Sequence, residues 1–460
     1  MELPVSRVVS SSLSPDRTRL LVSDVRGRTV MITTRGDDED YLEVTADGHG
    51  SRVLAVTALA GMPPGAASAA SLDEAGSLLA WTAQLAGADT GARVTLAQAV
   101  RFGDGERGAA LAGHPSLPLV AVATASGVLQ LLDMAAAAGP GAEHVPADDF
   151  VHFSARVLVP GPRKLLRWSP DGSLLAAADH VTGVVTFLSR TPHILRGGWS
   201  RLELLGSYAV PSVSLMQWHV GRQRRLLVHR AEGQLLVLEV PADAARDGTY
   251  AAGSLLLSHL RFPAPLSDML VLPDLVAGCD HASLVGVSVD RSLRRYSVPL
   301  AKPPAAAAGP ARALPLVPVD AERPLAFPAA GTCIAPARTA PWAYVAAADG
   351  LLYRLNLASL EVSQPGLALN GPAALGASAA AVLSDSLLLS ADAAGCMQFV
   401  PLPPAAPKAG VQRSAGVFDL AACVVADAGA LASNASRAVG LDDYVAAQER
   451  VLAERGTGEG

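Results

Sequence analysis

The stretch Ser169–Ser189, SPDGSLLAAADHVTGVVTFLS, holds two apolar runs, each preceded by a turn. Ser169-Pro170-Asp171-Gly172 opens it, and Pro, Asp and Gly are residues that favour tight turns. After the first apolar run comes a second turn, which contains Asp179, and then the second apolar run. Short apolar segments bounded by turn residues predict two strands that pair as a hairpin.

The same pattern recurs eight times, at intervals of roughly 50 residues. The second apolar runs lie at Arg28–Thr34, Ser77–Thr82, Gly127–Leu132, Gly183–Leu188, Gly233–Val240, Ser292–Val298, Gly350–Leu355 and Gly395–Leu402. A period of this length built from short strands predicts an all-β fold, a β-propeller with one four-stranded blade per repeat. We predict blade units at residues 1–40, 41–84, 85–134, 135–190, 191–241, 242–300, 301–357 and 358–402.

The first unit shows only three strands, with no room for a fourth before them. Propellers often close by borrowing a strand from the other terminus, and Ala415–Val425 (AGVFDLAACVV) is the candidate here. The alternative is that the chain is the last part of a longer protein. The eight units are either one ring, or seven blades followed by part of a second propeller.

Two further segments follow the repeats. Residues 403–440 are rich in Pro and Ala and are predicted to be a linker. Residues 441–455 (LDDYVAAQERVLAER) have helical apolar spacing, with Asp442 and Asp443 in the first turn and Arg455 in the last, as the helix dipole favours. This helix either caps the propeller or begins a coiled coil.

Composition narrows the classes of function. The 460-residue chain is 50% hydrophobic, 17% charged and carries a net charge of -6, so we expect no nucleic-acid partner. It lacks a signal-peptide pattern and an uncharged apolar stretch long enough to span a bilayer, which predicts a cytoplasmic protein without a membrane partner. The four cysteines form no CxxC motif, and we expect no metal and no cofactor.

The repeats resemble those of WD-repeat proteins. Trp168 and Trp218 hold the same place before a turn, and Trp81 matches the tryptophan that ends the third strand of such repeats. An aspartate occupies the tight turn before that strand in six repeats, at Asp24, Asp73, Asp179, Asp290, Asp349 and Asp392. No Gly-His pair that opens a blade is recognised, because Gly113-His114 precedes a proline and a strand and is interpreted as a turn. The hydrogen-bonded tetrad of His, Ser/Thr, Asp and Trp is therefore expected to be mostly incomplete.

The resemblance implies a rigid scaffold that presents loops to protein partners and does not catalyse a reaction. The organisation of this chain is similar to that of the WD-repeat cilia- and flagella-associated proteins. This similarity implies an axonemal scaffold with tubulin-containing partners. The alternative is a cytosolic adaptor, such as a substrate receptor or a trafficking platform. A propeller-based enzyme is a third class, but the chain has no GxSxG, HExxH or P-loop motif, and its histidines are scattered.

One basic turn is the candidate binding site. Arg222, Arg224 and Arg225 lie within four residues of a chain that is otherwise poor in charge. Arginine pairs bidentately with carboxylates, so this turn is predicted to bind an acidic peptide such as a tubulin tail.

Overall fold

The structure, a computed structural model, describes the repeat region with gaps. The described residues are 8–13, 19–24, 28–34, 41–47, 49–60, 69–84, 93–102, 106–134, 144–146, 153–158, 165–179, 183–193, 199–219, 224–245, 247–272, 280–300, 314–315, 325–326, 331–336, 342–348, 351–357, 367–368, 377–384, 387–392 and 397–401. The predicted linker 403–440, the strand Ala415–Val425 and the helix 441–455 lie outside them.

The described part is all β, in eight sheets that follow one another along the chain. The first four sheets contain β1–β17. Their bounds are β1 Val8–Leu13, β2 Arg19–Asp24, β3 Arg28–Thr34, β4 Tyr41–Asp47, β5 Val53–Ala58, β6 Ala69–Asp73, β7 Ser77–Gln84, β8 Arg93–Arg101, β9 Gly108–Gly113, β10 Leu119–Thr124, β11 Val128–Asp133, β12 His144–Pro146, β13 Phe153–Leu158, β14 Leu165–Trp168, β15 Leu174–Asp179, β16 Val184–His193 and β17 Trp199–Ala209.

The other four sheets contain β18–β33. Their bounds are β18 Val213–Trp218, β19 Arg225–Arg230, β20 Gln234–Glu239, β21 Leu256–Arg261, β22 Leu266–Val271, β23 His281–Ser288, β24 Ser292–Pro299, β25 Leu314–Pro315, β26 Leu325–Ala326, β27 Gly331–Pro336, β28 Trp342–Ala347, β29 Leu351–Asn356, β30 Leu367–Ala368, β31 Ala377–Ser384, β32 Leu387–Asp392 and β33 Met397–Pro401.

Each sheet is an antiparallel meander whose first strand is innermost. The inner strands are β1, β5, β9, β14, β18, β22, β27 and β31, and each contacts the inner strand of the next sheet from the first sheet to the eighth. This arrangement is a β-propeller, which confirms the predicted fold class. No helix long and apolar enough to cross a membrane is found in the described part of the chain.

The sheets are displaced from the predicted units by one strand. Each predicted unit after the first contains the strand that the structure places as the fourth strand of the preceding sheet, so β4 completes the first sheet and not the second. The first sheet therefore has four strands between Val8 and Asp47, and it needs no borrowed strand. The eighth sheet has three strands among the described residues, β31–β33.

The core is a series of layers between neighbouring sheets. One cluster joins the fourth and fifth sheets through Phe187, Val213 and Trp218, and equivalent clusters join each successive pair from the first sheet to the seventh. The second strands β6, β10 and β15 are buried at every position. Because both faces of a sheet in a propeller pack against neighbours, these strands are predominantly apolar and do not alternate between apolar and polar residues.

The turn that opens the stretch Ser169–Ser189 shows how the sequence specifies a blade. The Ser169 hydroxyl donates to Asp171 Oδ1 at 2.6 Å and accepts from the Leu174 N–H at 2.9 Å. Gly172 has a φ of 68°, and a Cβ at this position would lie 2.2 Å from His114 Nε2 on the third sheet. Glycine is required here by the left-handed backbone and by the close approach of the neighbouring blade.

Three connections between third and fourth strands lie along the outer edge of the preceding sheet. β12 pairs in parallel with β8, and β25 pairs in parallel with β21. In the fifth sheet, Thr249 forms a parallel bridge with Ser207 of β17. These segments cover backbone groups that an exposed edge strand would leave unpaired.

Candidate functional site

Two of the three arginines of the predicted basic turn lie on the described chain, and both bind its own atoms. Arg224 Nη1 donates to the carbonyl oxygens of Val240 and Pro241, at 3.3 and 2.7 Å. Arg225 begins β19, and its Nη2 lies 3.6 Å from Glu239 Oε1 at the end of β20. These contacts join the first turn of the fifth sheet to the end of its third strand. Arg222 lies outside the described residues, and the role of all three in partner binding stays a prediction.

The second sheet holds a buried polar network that the sequence analysis missed. His49 Nε2 lies 2.7 Å from Ser71 Oγ, and its Nδ1 lies 3.1 Å from Asp73 Oδ2. Trp81 Nε1 donates to the same Ser71 oxygen at 2.7 Å, and Asp73 Oδ1 accepts the Ser77 N–H at 2.7 Å. Burial alone would raise the pKa of Asp73, but its hydrogen bonds to His49 and Ser77 outweigh burial, and the pKa is lowered.

This network is a complete His-Ser-Asp-Trp tetrad, so the expectation that no Gly-His pair opens a blade is wrong for the second sheet. The signal was present as Gly48-His49: His49 precedes Asp73 by 24 residues and is separated from the inner strand β5 by three residues. The interpretation of Gly113-His114 as a turn is confirmed. His114 Nδ1 accepts the N–H groups of Ser116 and Leu117, at 3.2 and 3.0 Å, between β9 and β10.

The inner strands are joined to one another by side chains. Trp168 Nε1 donates to the Ala112 carbonyl at 3.3 Å, and Trp218 Nε1 donates to the Arg167 carbonyl at 2.9 Å, in each case across to the preceding sheet. Asp268 joins the sixth and seventh sheets, because its Oδ2 accepts the Ile334 N–H at 3.0 Å. Burial raises the pKa of Asp268 to about 6, against the opposing effect of two backbone hydrogen bonds.

These buried groups stabilise the ring and do not converge on one point. Among the described residues, no group of three or more His, Cys, Asp or Glu side chains is arranged to hold a metal ion.

The two faces are defined by the connections that reach them. The upper face comprises the turns between second and third strands and the segments that join an outer strand to the next inner strand. The lower face comprises the turns between first and second strands and the connections between third and fourth strands. Two described carboxylates at this face, Asp73 and Asp179, are buried. Among the described side chains that are not buried, the upper face carries seven arginines and four carboxylates: Arg52, Arg101, Arg107, Arg230, Arg261, Arg291, Arg294, Glu74, Glu106, Glu232 and Asp290.

The lower face has the opposite balance. Its described residues include three arginines and six carboxylates: Arg190, Arg224, Arg225, Asp133, Asp171, Glu239, Asp243, Asp247 and Asp280. The predicted basic turn therefore lies on the more acidic face. The described part of the upper face is thus basic, although the chain carries a net charge of -6.

The fold and the second-sheet tetrad define a WD40-like β-propeller. Comparison with solved structures supports this fold. The chain is similar to Chaetomium thermophilum Sqt1 bound to the N-terminus of the ribosomal protein L10, with 13% identity, a TM-score of 0.59, and coverage of 86% of this chain and 97% of that one. It is also similar to Saccharomyces cerevisiae Sqt1, with 11% identity, a TM-score of 0.58, and coverage of 88% and 98%.

A third similar structure is the computationally designed protein Ika8, with 13% identity, a TM-score of 0.52, and coverage of 86% of this chain and 96% of that one. No family model matches the sequence. No curated protein matches it either. At these identities the structural likeness establishes the fold and not a partner.

Proposed function

We propose that this propeller is a non-catalytic cytosolic adaptor that binds segments of other proteins, principally through its upper face. The observation that carries the proposal is the opposite charge balance of the two faces. A surface of one sign in a protein of the other sign attracts complementary partners and excludes like-charged ones. The rigid ring of sheets holds the upper-face turns in fixed relative positions, which suits recognition by loops on a stable scaffold.

The Sqt1 structure supports this class of function. There, a propeller of the same fold is bound to the N-terminus of another protein. The identity of that partner is not carried over, because fold alone does not specify what a surface binds.

The test is affinity capture from cell extract with three forms of the full chain. The wild type is compared with an upper-face variant, Arg107→Glu/Arg261→Glu, and with a lower-face variant, Asp243→Lys/Asp247→Lys. All four side chains are exposed, so both variants should fold. We expect a set of captured proteins that the upper-face variant loses and the lower-face variant keeps. Equal capture by all three forms would contradict the proposal.

An axonemal scaffold is the finer version of this function. It is supported by the resemblance to cilia- and flagella-associated WD-repeat proteins and by the arginines of the basic turn, which would contact an acidic tubulin tail. Arg224 and Arg225 bind the chain itself, so charge reversal at either position would also break those contacts, and the test therefore uses Arg222→Glu. Co-sedimentation with microtubules at low and moderate salt tests this version: the wild type should sediment and the variant should sediment less, with both weakened by salt.

A further inference from the structure

The turn between the second and third strands of the sixth sheet differs from its counterparts. In the second to fifth sheets this turn contains a glycine with positive φ: Gly76, Gly127, Gly183 and Gly233. In the sixth sheet, Arg291 has the positive φ, at 66°. A left-handed backbone is disfavoured for a residue with a Cβ. This turn therefore has an arginine at a position where glycine would have the lower conformational energy.

The same turn exposes an apolar side chain. Val289 is 54% exposed, the higher value of the two large hydrophobic residues that are exposed in the described part of the chain. Its N–H donates to the Pro265 carbonyl at 3.1 Å, so the turn is held against the segment that joins the fifth and sixth sheets. A fixed, exposed valine on a basic surface is a suitable contact for an apolar side chain of a partner.

Charged side chains lie at the upper-face ends of the fifth and sixth sheets, to which the Val289 turn belongs. Both local carboxylates are paired: Glu232 with Arg230 at 2.8 Å, and Asp290 with Arg294 at 3.2 Å. Arg261 and Arg291 are exposed residues on the same two sheets. We call this surface the Val289 sector: Arg230, Glu232, Arg261, Val289, Asp290, Arg291 and Arg294. Its net positive charge is complementary to carboxylates.

We infer that the Val289 sector binds an acidic segment of a protein partner, with one apolar side chain of that segment packed on Val289. The inference rests on the proposed function, and it specifies the kind of protein segment that binds one part of the upper face. Arg261 and Arg291 pair with carboxylates of the segment, for which the planar guanidinium is well suited. Arg291 is exposed although its backbone is left-handed, whereas a glycine at this position would present no side chain to a partner.

A protein segment fits this surface better than RNA does. Single-stranded nucleic acids are bound by basic grooves in which bases stack on exposed aromatic rings. The aromatic rings next to this sector, Phe262 and Tyr296, are buried, at 4% and 0% exposure. A carboxylate-rich segment with an apolar residue needs only the arginines and the valine that the sector presents.

The test measures binding of fluorescent synthetic peptides to the full chain by anisotropy. The probe is a peptide of alternating glutamate and leucine. One control peptide has glutamine in place of glutamate, a second has serine in place of leucine, and an oligouridine strand is the nucleic-acid control. We expect the glutamate–leucine peptide to bind most tightly, and its affinity to fall as salt rises.

Variants of the chain then locate the site. Arg291→Glu should weaken binding of the glutamate–leucine peptide roughly tenfold, and Val289→Ser about threefold to tenfold. Arg291→Gly should also weaken binding while the thermal midpoint stays equal or rises, because glycine relieves the left-handed strain. The lower-face variant Asp243→Lys/Asp247→Lys is the control for a change of charge outside the sector, and it should not weaken binding.

The possible outcomes separate the two levels of the proposal. Tight binding of the glutamine peptide or of oligouridine, or unchanged affinity in Arg291→Glu, would overturn the assignment of this sector. The Arg107→Glu/Arg261→Glu variant could still lose captured proteins after such a result. The upper face would then remain the binding face, and only the assignment of an acidic segment to the Val289 sector would fail. Loss of thermal stability in Arg291→Gly would show that Arg291 has a structural role instead.

Discussion

At the scale of single residues, tryptophans and histidines hold neighbouring blades together. Trp168 precedes the Ser169–Gly172 turn, and its side chain is fully buried against the third sheet. The sequence could not indicate its partner: the His114 ring lies edge-on to it, 4.9 Å between centroids, from 54 residues earlier in the chain. Such pairs depend on how the blades pack, and no local pattern encodes them.

Trp168→Ala should destabilise the protein by roughly 3–5 kcal/mol, because it leaves a cavity and removes a hydrogen bond between sheets. Trp342→Ala is the matched control. Trp342 is only half-buried and packs under the Arg354 guanidinium, 3.9 Å from the ring centroid, so its loss should cost less. Denaturant unfolding measures both, and equal losses of stability would contradict the placement of Trp168 in the core.

Acid should destabilise the fold through His114 and His229. Burial lowers the pKa of each to about 4, from an ordinary value of 6.5. Between these values the unfolded chain binds more protons than the folded one, so the free energy of unfolding falls as pH drops from 6.5 to 4. Each histidine contributes roughly 3 kcal/mol over that range.

Asp268 acts in the opposite direction. Its folded pKa of about 6 lies above the ordinary value of 3.8, so its contribution increases stability as pH falls from 6 to 3.8. We expect a net loss of about 4 kcal/mol between pH 6.5 and 4. Urea unfolding across this range checks it, and Asp268→Asn should steepen the loss. Stability that does not change with pH would show that the histidines titrate normally.

At the scale of elements, the sequence repeat and the structural blade differ by one strand. The repeat is read from turn to turn, and the turn signals around Ser169–Gly172 and Asp179 do not show which strands share hydrogen bonds. The structure shows that β17 completes the fourth sheet, although it lies in the predicted fifth unit. The parallel additions at the outer edges were not predicted, because two or three paired residues leave no periodicity to detect.

Gly206 is the residue on which one of these additions depends. It has a φ of 151°, and a Cβ there would lie 2.7 Å from Tyr250 and 3.0 Å from Ala245, both in the segment that lies along β17. Gly206→Ala should therefore release residues 241–255 from β17 and increase their cleavage in limited proteolysis.

Gly253→Ala is the matched control for this change. Gly253 lies in the same segment with a φ of 78°, and a Cβ there would meet no atom within 4 Å. Its replacement should cost only backbone strain, about 1 kcal/mol, without new cleavage between residues 241 and 255. Equal proteolysis of the two variants would rule out the steric role of Gly206.

At the scale of the whole molecule, the sheet that lacks a fourth strand among the described residues is the eighth and not the first. The first sheet has its four strands, and the described eighth sheet ends at β33. We predict that Ala415–Val425 pairs at the outer edge of β33, because an uncovered edge strand invites association with other chains.

Truncation tests this prediction. A chain ending at residue 410 should aggregate and unfold at a lower temperature than the full chain. A chain ending at residue 440, which lacks only the predicted helix, is the control and should retain the thermal midpoint. If the shorter chain is as soluble and heat-stable as the longer one, this segment does not close the ring.

The sequence by itself determined the number of repeats, the all-β class and the turn residues, because turns and apolar strands are local patterns of a few residues. The tertiary structure alone decided which strands share a sheet, which face is basic and what Arg224 and Arg225 contact. Those depend on residues that are distant in the chain, such as His49 and Asp73 in the tetrad. The charge of a face is distributed over turns from many blades, so it exists only once the ring has brought them together.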